Sequence, residues 1–320
     1  MAEVLEDYAL SKREHKKGSL KKVGIIGCGT MGQEIAHVIS KNGFEVVFVD
    51  ISEERIIEVF LELNQSLDDV IDKWGLTVSE KRAILSRIHG TTDYHDISDC
   101  DLIIESINSK KQGTSIDIRK DIFRKVEAVV SDDTIISSNT STLIISELAS
   151  VLDHPERAVG LHFLSPASTV KIVEIVNGLH TSDHAIHFVS RFARSLDKKV
   201  IQLVESPGNI STRLIVTLIN EACETLMEGV APAKQVDETM KLGFGMQFGP
   251  LEIADRMGLD RVIRWMDNLY QEFGEPKFKP NPIIKRLARA GNIGKKTGSG
   301  FYKYKNGVII GESIHCPEYK

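Results

Sequence analysis

Two groups of residues in this 320-residue chain have the types and spacing to do chemistry. The first is Gly27-Cys28-Gly29-Thr30-Met31-Gly32, a GxGxxG turn between the apolar run VGII and an apolar-periodic helix, with Asp50 closing the next apolar run. In such a turn Gly27 permits the tight bend, Gly29 lets a pyrophosphate approach the backbone, and Gly32 lets the helix pack closely on the sheet. The helix N-terminal NH groups then receive the phosphates. Asp50 stands where a carboxylate accepts ribose hydrogen bonds and opposes a 2′-phosphate, so the pattern predicts NAD rather than NADP. FAD is the competitor within this reading, but ribityl and isoalloxazine contacts are not recognisable. Cys28 reads as a small buried filler.

The second group is a histidine leaving one strand and a carboxylate inside the next. His162 lies at the end of one apolar strand and Glu174 lies within VKIVEIVN, beyond a turn marked by Ser165-Pro166. Open α/β sheets bind ligands outside the carboxyl ends of their strands, which is where His162 falls. A lone carboxylate within an apolar strand would be costly, so an imidazole–carboxylate pair is the economical account of Glu174. Beside a nicotinamide cofactor that pair does alcohol chemistry. His162 takes the hydroxyl proton as hydride leaves the carbon, and Glu174 fixes its tautomer and favours the imidazolium.

Positioning these groups requires a sheet. KKVGIIGCGTMGQEIAHVISKNGFEVVFVD reads as a βαβ unit, followed by a helical excursion over ISEERIIEVFLELNQSLDDVIDKW and a short helix over TVSEKRAILSRI with a Thr or Ser start. Strands resume at DLIIESI, TIISSNTS, AVGLHFLS, VKIVEIVN and KKVIQLVES. The expected fold is therefore α/β, a Rossmann-type doubly wound sheet with helices on both faces. Ser206-Pro207-Gly208 breaks the last strand, and helices are expected over STRLIVTLINEACETLMEGVA, KQVDETMKL, LEIADRMGLDRVIRWMDNLYQEF and PIIKRLARA. The predicted organisation is an extension over 1–19, a nucleotide-binding domain over 20–205 and an all-helical domain over 206–320, with NGVIIG as a strand-like tail. KLGFGMQFGP follows no strand and is poor phosphate-loop material. Lys295-Lys296 reads as a basic capping turn before packed Phe301 and Tyr302, and Trp265, Met266 and Leu269 have the spacing of a buried helix face.

Charge excludes some partners. With 45 acidic against 40 basic side chains and a net charge of -5, the chain has no general attraction to nucleic acid or anionic membrane. An uninterrupted stretch of 18 apolar residues is absent from the sequence, so no bilayer-spanning helix is expected. Cys28, Cys100, Cys223 and Cys316 are irregularly spaced without CxxC, which argues against a disulfide framework or a zinc site and for a reducing, cytoplasmic compartment. Lys16, Lys17, Lys21 and Lys22 follow an acidic MAEVLED and read as an entry tail, not a signal peptide.

Over about residues 20 to 304 the chain resembles the L-3-hydroxyacyl-CoA dehydrogenase family, including bacterial 3-hydroxybutyryl-CoA dehydrogenases. The resemblance rests on VGIIGCGTMG, SNTSTL, GLHFLSPASTVKIVEIVNG, SPGNISTRL, EGVA, MKLGFGMQFGPLEIAD and AGNIGKKTGSGFYKY, in that order. It implies an NAD domain, a helical second domain that mainly forms a homodimer, and an acyl-CoA-type substrate. His162 falls on the family's catalytic histidine, Glu174 on its paired glutamate, and Ser141 on a serine that contacts the substrate oxygen. The expected cofactor set is Gly27, Gly29, Thr30, Met31, Gly32, Asp50, Ser106 and Asn139. Thr212 replaces the family's asparagine and keeps a reduced role, because a hydroxyl cannot reproduce an amide's paired polarity. Ser165 stands where FFNP has its amide, and Ser109 stands where a second glutamate is usual, before an insertion carrying Lys110 and Lys111. Lys73 is the expected phosphate partner on the CoA side, with Lys81 and Arg82 further on. The expected reaction is NAD-dependent interconversion of an L-3-hydroxyacyl-CoA and its 3-oxoacyl-CoA. The alternatives are the same hydride chemistry on an atypical 3-hydroxy acid or acyl group, and a nonenzymatic nucleotide-binding role.

Overall fold

The computed structural model describes residues 20–72, 75–107 and 115–313. It divides into two compact units, one running to Thr140 and resuming over Ile145–Leu203, the other holding Ser141–Ile144 and the chain from Val204 onward. The partition is thus not a single cut in the sequence. Within the second unit Asn268 Nδ2 donates to Thr142 Oγ1 at 2.9 Å, a link between residues far apart in sequence that strand and turn patterns do not reveal.

The first unit begins with β1 (Lys22–Ile26), α1 (Thr30–Lys41) and β2 (Glu45–Val49), the expected βαβ element. α2 (Glu53–Ile71) starts where the Ser52 side chain accepts from Arg55 N. α3 (Val78–Leu85) starts in a Thr77/Glu80 capping box, so the hydroxyl start anticipated there is real. The helix stops three residues earlier than the sequence suggests, and β3 (Ile88–Thr91) replaces its end. Only Ile88 is buried in that four-residue strand, too little apolar pattern to be seen as a strand. A Cβ on Gly90 would lie 2.6 Å from both Phe48 Cζ and Ile56 Cγ2, so glycine lets this strand lie over the core.

β4 (Leu102–Glu105), α4 (Ser115–Glu127), β5 (Ile135–Ser138), α5 (Ile145–Ala149), β6 (Ala158–Phe163), β7 (Ile172–Asn177), α6 (Asp183–Ser195) and β8 (Lys199–Val204) complete the unit. The eight-stranded sheet has the order β3-β2-β1-β4-β5-β6-β7-β8. Its first six strands pair in parallel, the dinucleotide-binding order, whereas β7 runs antiparallel to β6. Alternate residues separate its two faces. Val23, Ile25, Phe48, Ile104, Leu161 and Ile175 pack with α1, α2, α3 and α6, while Ile26, Val49, Ile103, Ile136 and Val176 pack with α4 and α5.

The second unit contains α7 (Ser211–Met227), α8 (Ala233–Phe244), α9 (Pro250–Met257), α10 (Leu259–Phe273), α11 (Pro282–Arg289), β9 (Tyr302–Lys305) and β10 (Val308–Glu312). It is therefore mostly helical rather than all-helical. Asn306 and Gly307 both take positive φ, 52° and 75°, which is the geometry of a two-residue hairpin turn, and they pair the strand-like tail with β9. The single helix expected over 251–273 is likewise two, divided at Gly258 with φ 93° and ψ 121°. Met266 and Leu269 are buried in this unit's core with Phe301 and Tyr302, and Trp265 packs against it.

Two buried carboxylates organise the glycine-rich segments of this unit. Asp237 accepts from Leu251 N and Glu252 N at the start of α9 and from Tyr302 Oη. Asp255 accepts from Phe301 N, Tyr302 N and Tyr304 Oη at 2.9, 2.9 and 3.0 Å. Burial pushes the Asp255 carboxyl up to about 6 although these donors favour its ionised form. Asp255→Asn puts an NH2 against donors and is expected to destabilise the chain by about 2 kcal/mol or more in urea unfolding at pH 8. A folded-state value above the unfolded 3.8 means that wild type gains stability from this group below about pH 4 and loses it as pH rises past 6. The stability gap between wild type and variant should therefore narrow over that window, by at most about 3 kcal/mol.

Candidate active site

The GxGxxG turn is built for an anion at its open position. Gly27 has φ 85°, and a Cβ there would meet Ile107. A Cβ on Gly32 would lie 2.3 Å from Gly27 O, so both are glycine for reasons of packing. Gly29 differs, because a Cβ there meets nothing within 4 Å among the described residues. It is the N-cap of α1 without a side-chain cap, and the first turn carries no acidic residue, so no carboxylate of that turn competes for its amide NH groups. Thr30 opens the helix exposed and Met31 follows partly buried. Asp50 is held to the turn itself, its Oδ2 accepting from Cys28 N at 2.9 Å and its Oδ1 from Ile51 N at 2.8 Å. Cys28 is fully buried, and desolvation pushes its thiol well above the usual range, which makes it a filler rather than a redox group.

The other cofactor candidates stand at the carboxyl ends of neighbouring strands. Ser106 follows β4 with its N donating to Ile26 O at 2.9 Å. Its buried Oγ has no hydrogen-bond partner among the described residues, as suits a group that a ligand would satisfy. Asn139 follows β5, its N donating to Glu105 O and its Oδ1 accepting from Phe163 N at 2.7 Å, next to His162. An open glycine, uncapped amides, a fixed carboxylate and an orphan hydroxyl together fit a dinucleotide.

His162 and Glu174 are directly opposed across the antiparallel β6–β7 pair. His162 Nδ1 lies 2.7 Å from Glu174 Oε2, with the two residues 7% and 1% exposed. With the carboxylate as acceptor, Nδ1 carries the proton and Nε2 presents its lone pair, the tautomer a general base requires.

The pair extends a polar row that sequence reasoning missed. Glu105 and Ser138 face each other across β4 and β5, on the same face of the sheet as His162 and Glu174 by strand alternation. Glu105 is 1% exposed and accepts from Ile107 N at 2.7 Å, Arg119 Nε at 2.9 Å and Ser138 Oγ at 2.5 Å. The signal was there in a form akin to that for Glu174, a carboxylate in an apolar strand, here at its end. The cation that answers it, Arg119, lies on α4 beyond the insertion.

The loop after His162 is also tied down. Ser165 Oγ donates to Glu34 Oε1 at 2.8 Å and Ala167 N to Glu34 Oε2 at 2.7 Å, while buried Lys198 donates to Ala167 O and Val170 O. The Ser165 hydroxyl is thus engaged by α1. Ser141, half-buried, and Thr212, buried in the first turn of α7, belong to the second compact unit, apart from the unit of His162 and Glu174. Lys73, Ser109, Lys110 and Lys111 lie outside the described residues.

Comparison with known proteins agrees with this chemistry. Residues 22–206 match the model of the 3-hydroxyacyl-CoA dehydrogenase NAD binding domain, and residues 208–304 match that of the 3-hydroxyacyl-CoA dehydrogenase C-terminal domain. The chain is 37% identical over 283 residues to a probable 3-hydroxybutyryl-CoA dehydrogenase of Deinococcus radiodurans, covering 88% of this chain and 100% of the relative. A 3-hydroxybutyryl-CoA dehydrogenase of Clostridioides difficile is 35% identical over 88% of this chain and 99% of its own. The crystal structure of the (S)-3-hydroxybutyryl-CoA dehydrogenase of Ralstonia eutropha superposes with a TM-score of 0.80 at 38% identity, covering 90% of this chain and 100% of that one.

The open space at Gly29 gives a direct test. Because φ is -72° and a Cβ there touches no described residue, Gly29→Val should still fold, at the modest stability cost of a poorer helix N-cap. Its side chain enters the space over the amides, so NADH affinity should fall at least about tenfold, roughly 1.4 kcal/mol, in a fluorescence titration. Unchanged affinity would remove the turn from the dinucleotide seat.

Proposed function

The chain belongs to the 3-hydroxyacyl-CoA dehydrogenase family and is an NAD-dependent oxidoreductase, and from that premise we propose that it interconverts an L-3-hydroxyacyl-CoA and its 3-oxoacyl-CoA. The observation that carries this reading is the buried His162–Glu174 pair, set in register at the carboxyl end of β6 in the sheet that holds the dinucleotide turn. Bound NAD would supply the acceptor for the hydride that leaves C3 in oxidation and, in its reduced form, the hydride for the reverse reaction. His162 Nε2 removes the 3-hydroxyl proton in oxidation and returns one to the 3-oxo oxygen in reduction. Glu174 holds Nδ1–H and stabilises the imidazolium, so the proton rests on a ring whose orientation cannot drift. Ser141 donates to the same substrate oxygen, and Thr212 supplies a weaker polar contact where relatives use an amide.

In this reading residues 20–205 form the NAD-binding domain and 206–320 the domain for substrate and dimerisation. Leu214, Met227, Leu242 and Phe244 expose apolar side chains on α7 and α8, which supports a homodimer through that part. Lys73 is the proposed partner of a CoA phosphate. The names of the relatives make a short acyl chain the first to test. A cytoplasmic location accords with three buried thiols, Cys28, Cys100 and Cys223, none in a disulfide. Thr212, together with the engagement of Ser165 by Glu34, favours a second reading, the same hydride transfer on an atypical acyl group.

NADH oxidation measured over 3-oxoacyl-CoAs of graded length, aromatic members included, and over the free 3-oxo acids decides between the readings. Turnover of short 3-oxoacyl-CoAs but not of free acids is the expected result. No turnover of any thioester would overturn the proposal. His162→Gln should keep NADH binding and lower kcat by about two orders of magnitude or more.

A further inference from the structure

Next to the dinucleotide turn the structure holds a cation that the NAD reading does not use. Arg55, in the first turn of α2, donates through Nη2 to Cys28 O at 3.4 Å, while Cys28 N donates to Asp50 Oδ2 at 2.9 Å. The guanidinium and the carboxylate therefore reach the two polar groups of one turn residue. An arginine beside the ribose carboxylate is what a 2′-phosphate requires, since its planar fork pairs with two phosphate oxygens. Here the fork is occupied. Arg55 Nη1 donates to Glu58 Oε2 at 2.9 Å and to Glu62 Oε1 at 3.2 Å, and Nη2 donates to Glu62 Oε2 at 2.9 Å. Gln33 Nε2 bonds both Glu62 Oε2 and Cys28 O, which holds Glu62 over the turn.

We propose that Glu58 and Glu62 are specificity-determining residues, which neutralise Arg55 and so withhold from a 2′-phosphate the cation that would bind it. Asp50 then accounts for only part of the preference for NAD. With Asp50, three carboxylates stand against one guanidinium, a local field that repels a phosphate dianion at distances inside the roughly 8 Å screening length of physiological salt. Removing the two glutamate charges leaves one carboxylate, one guanidinium and an arginine fork free to turn. The side chains of Glu58 and Glu62 are 61% and 51% exposed, so glutamine at both positions leaves the fold intact.

The test is binding, not turnover, and does not depend on which acyl substrate the chain takes. NADH and NADPH are titrated by fluorescence into full-length wild type, Glu58→Gln/Glu62→Gln and the same pair with Arg55→Ala. The double variant should lower the NADPH-to-NADH ratio of Kd values by about tenfold, a change of roughly 1.4 kcal/mol. Adding Arg55→Ala should abolish that gain. An unchanged ratio in a double variant that still binds NADH overturns the proposal, as does a gain that survives the loss of Arg55, which would assign the effect to repulsion alone. If the double variant fails to fold, Glu62→Gln by itself must lower the ratio several-fold, because Glu62 holds both terminal nitrogens of Arg55, and an unchanged ratio there also overturns it.

Discussion

The contact between His162 and Glu174 depends on a single reversal of strand direction. Six strands of the sheet run parallel, and a seventh parallel strand would give β6 a slanted, offset ladder with a crossover between. Because β7 instead returns antiparallel, His162 and Glu174 become opposite partners on one face, close enough for a 2.7 Å contact. A slip of one residue would carry either side chain into the apolar layer of Leu161, Phe163 and Ile175. Neither group is tolerable there alone. Buried together, each answers the other's desolvation, and the apolar residues on either side hold the register.

That pair is the edge of a wider polar surface at the carboxyl ends of β4, β5 and β6. Glu105 joins β4 to β5 through Ser138 and to α4 through Arg119, and Asn139 joins the end of β5 to the amide just after His162. Glu34 of α1 and Lys198, just before β8, clamp the loop beyond it. The histidine is therefore flanked on its strand by fixed backbone, and a residue of the dinucleotide helix takes part in fixing it. Positional precision of this kind is what proton transfer needs, because small displacements of a base cost orders of magnitude in rate.

How much of this was legible in the sequence follows from the range of each interaction. The turn from Gly27 to Gly32 with Asp50 is local, and its residue types announce it. His162 and Glu174 were legible because a carboxylate inside an apolar strand demands a partner and the nearest candidate lay one hairpin away. Glu105 posed the same demand, but its answers, Arg119 and Ser138, are 14 and 33 residues on and came into view only with the fold. Ser165 read as a shortened polar group near the histidine because Glu34, its partner, is 131 residues away. β3 went unseen because its evidence is one buried isoleucine and a glycine that makes room for Phe48. The clustering of Ser141–Ile144 with the second unit is wholly tertiary.

Glycine-rich segments show most clearly what composition leaves open. Three of them, GCGTMG, LGFGMQFGP and GKKTGSG, share a glycine-rich composition and are told apart in sequence by their flanking elements, and the space over the missing side chain gives the physical reason for the difference. A Cβ on Gly249 would sit 2.2 Å from Asp237 Cγ, and one on Gly300 would sit 1.9 Å from Asp255 Oδ1, so those segments are glycine because a buried carboxylate of the protein is already there, collecting their amides. Gly29 is the reverse. Its neighbouring helix amides have no side-chain cap, and the space above it is empty of any described residue. The same demand for an anion is met internally in the second unit and left for a ligand in the first. The need of backbone NH groups for an acceptor is common to all three: Asp50 meets it at Cys28 N, and at the helix start beyond, where no side chain caps the amides, an anion from outside fits.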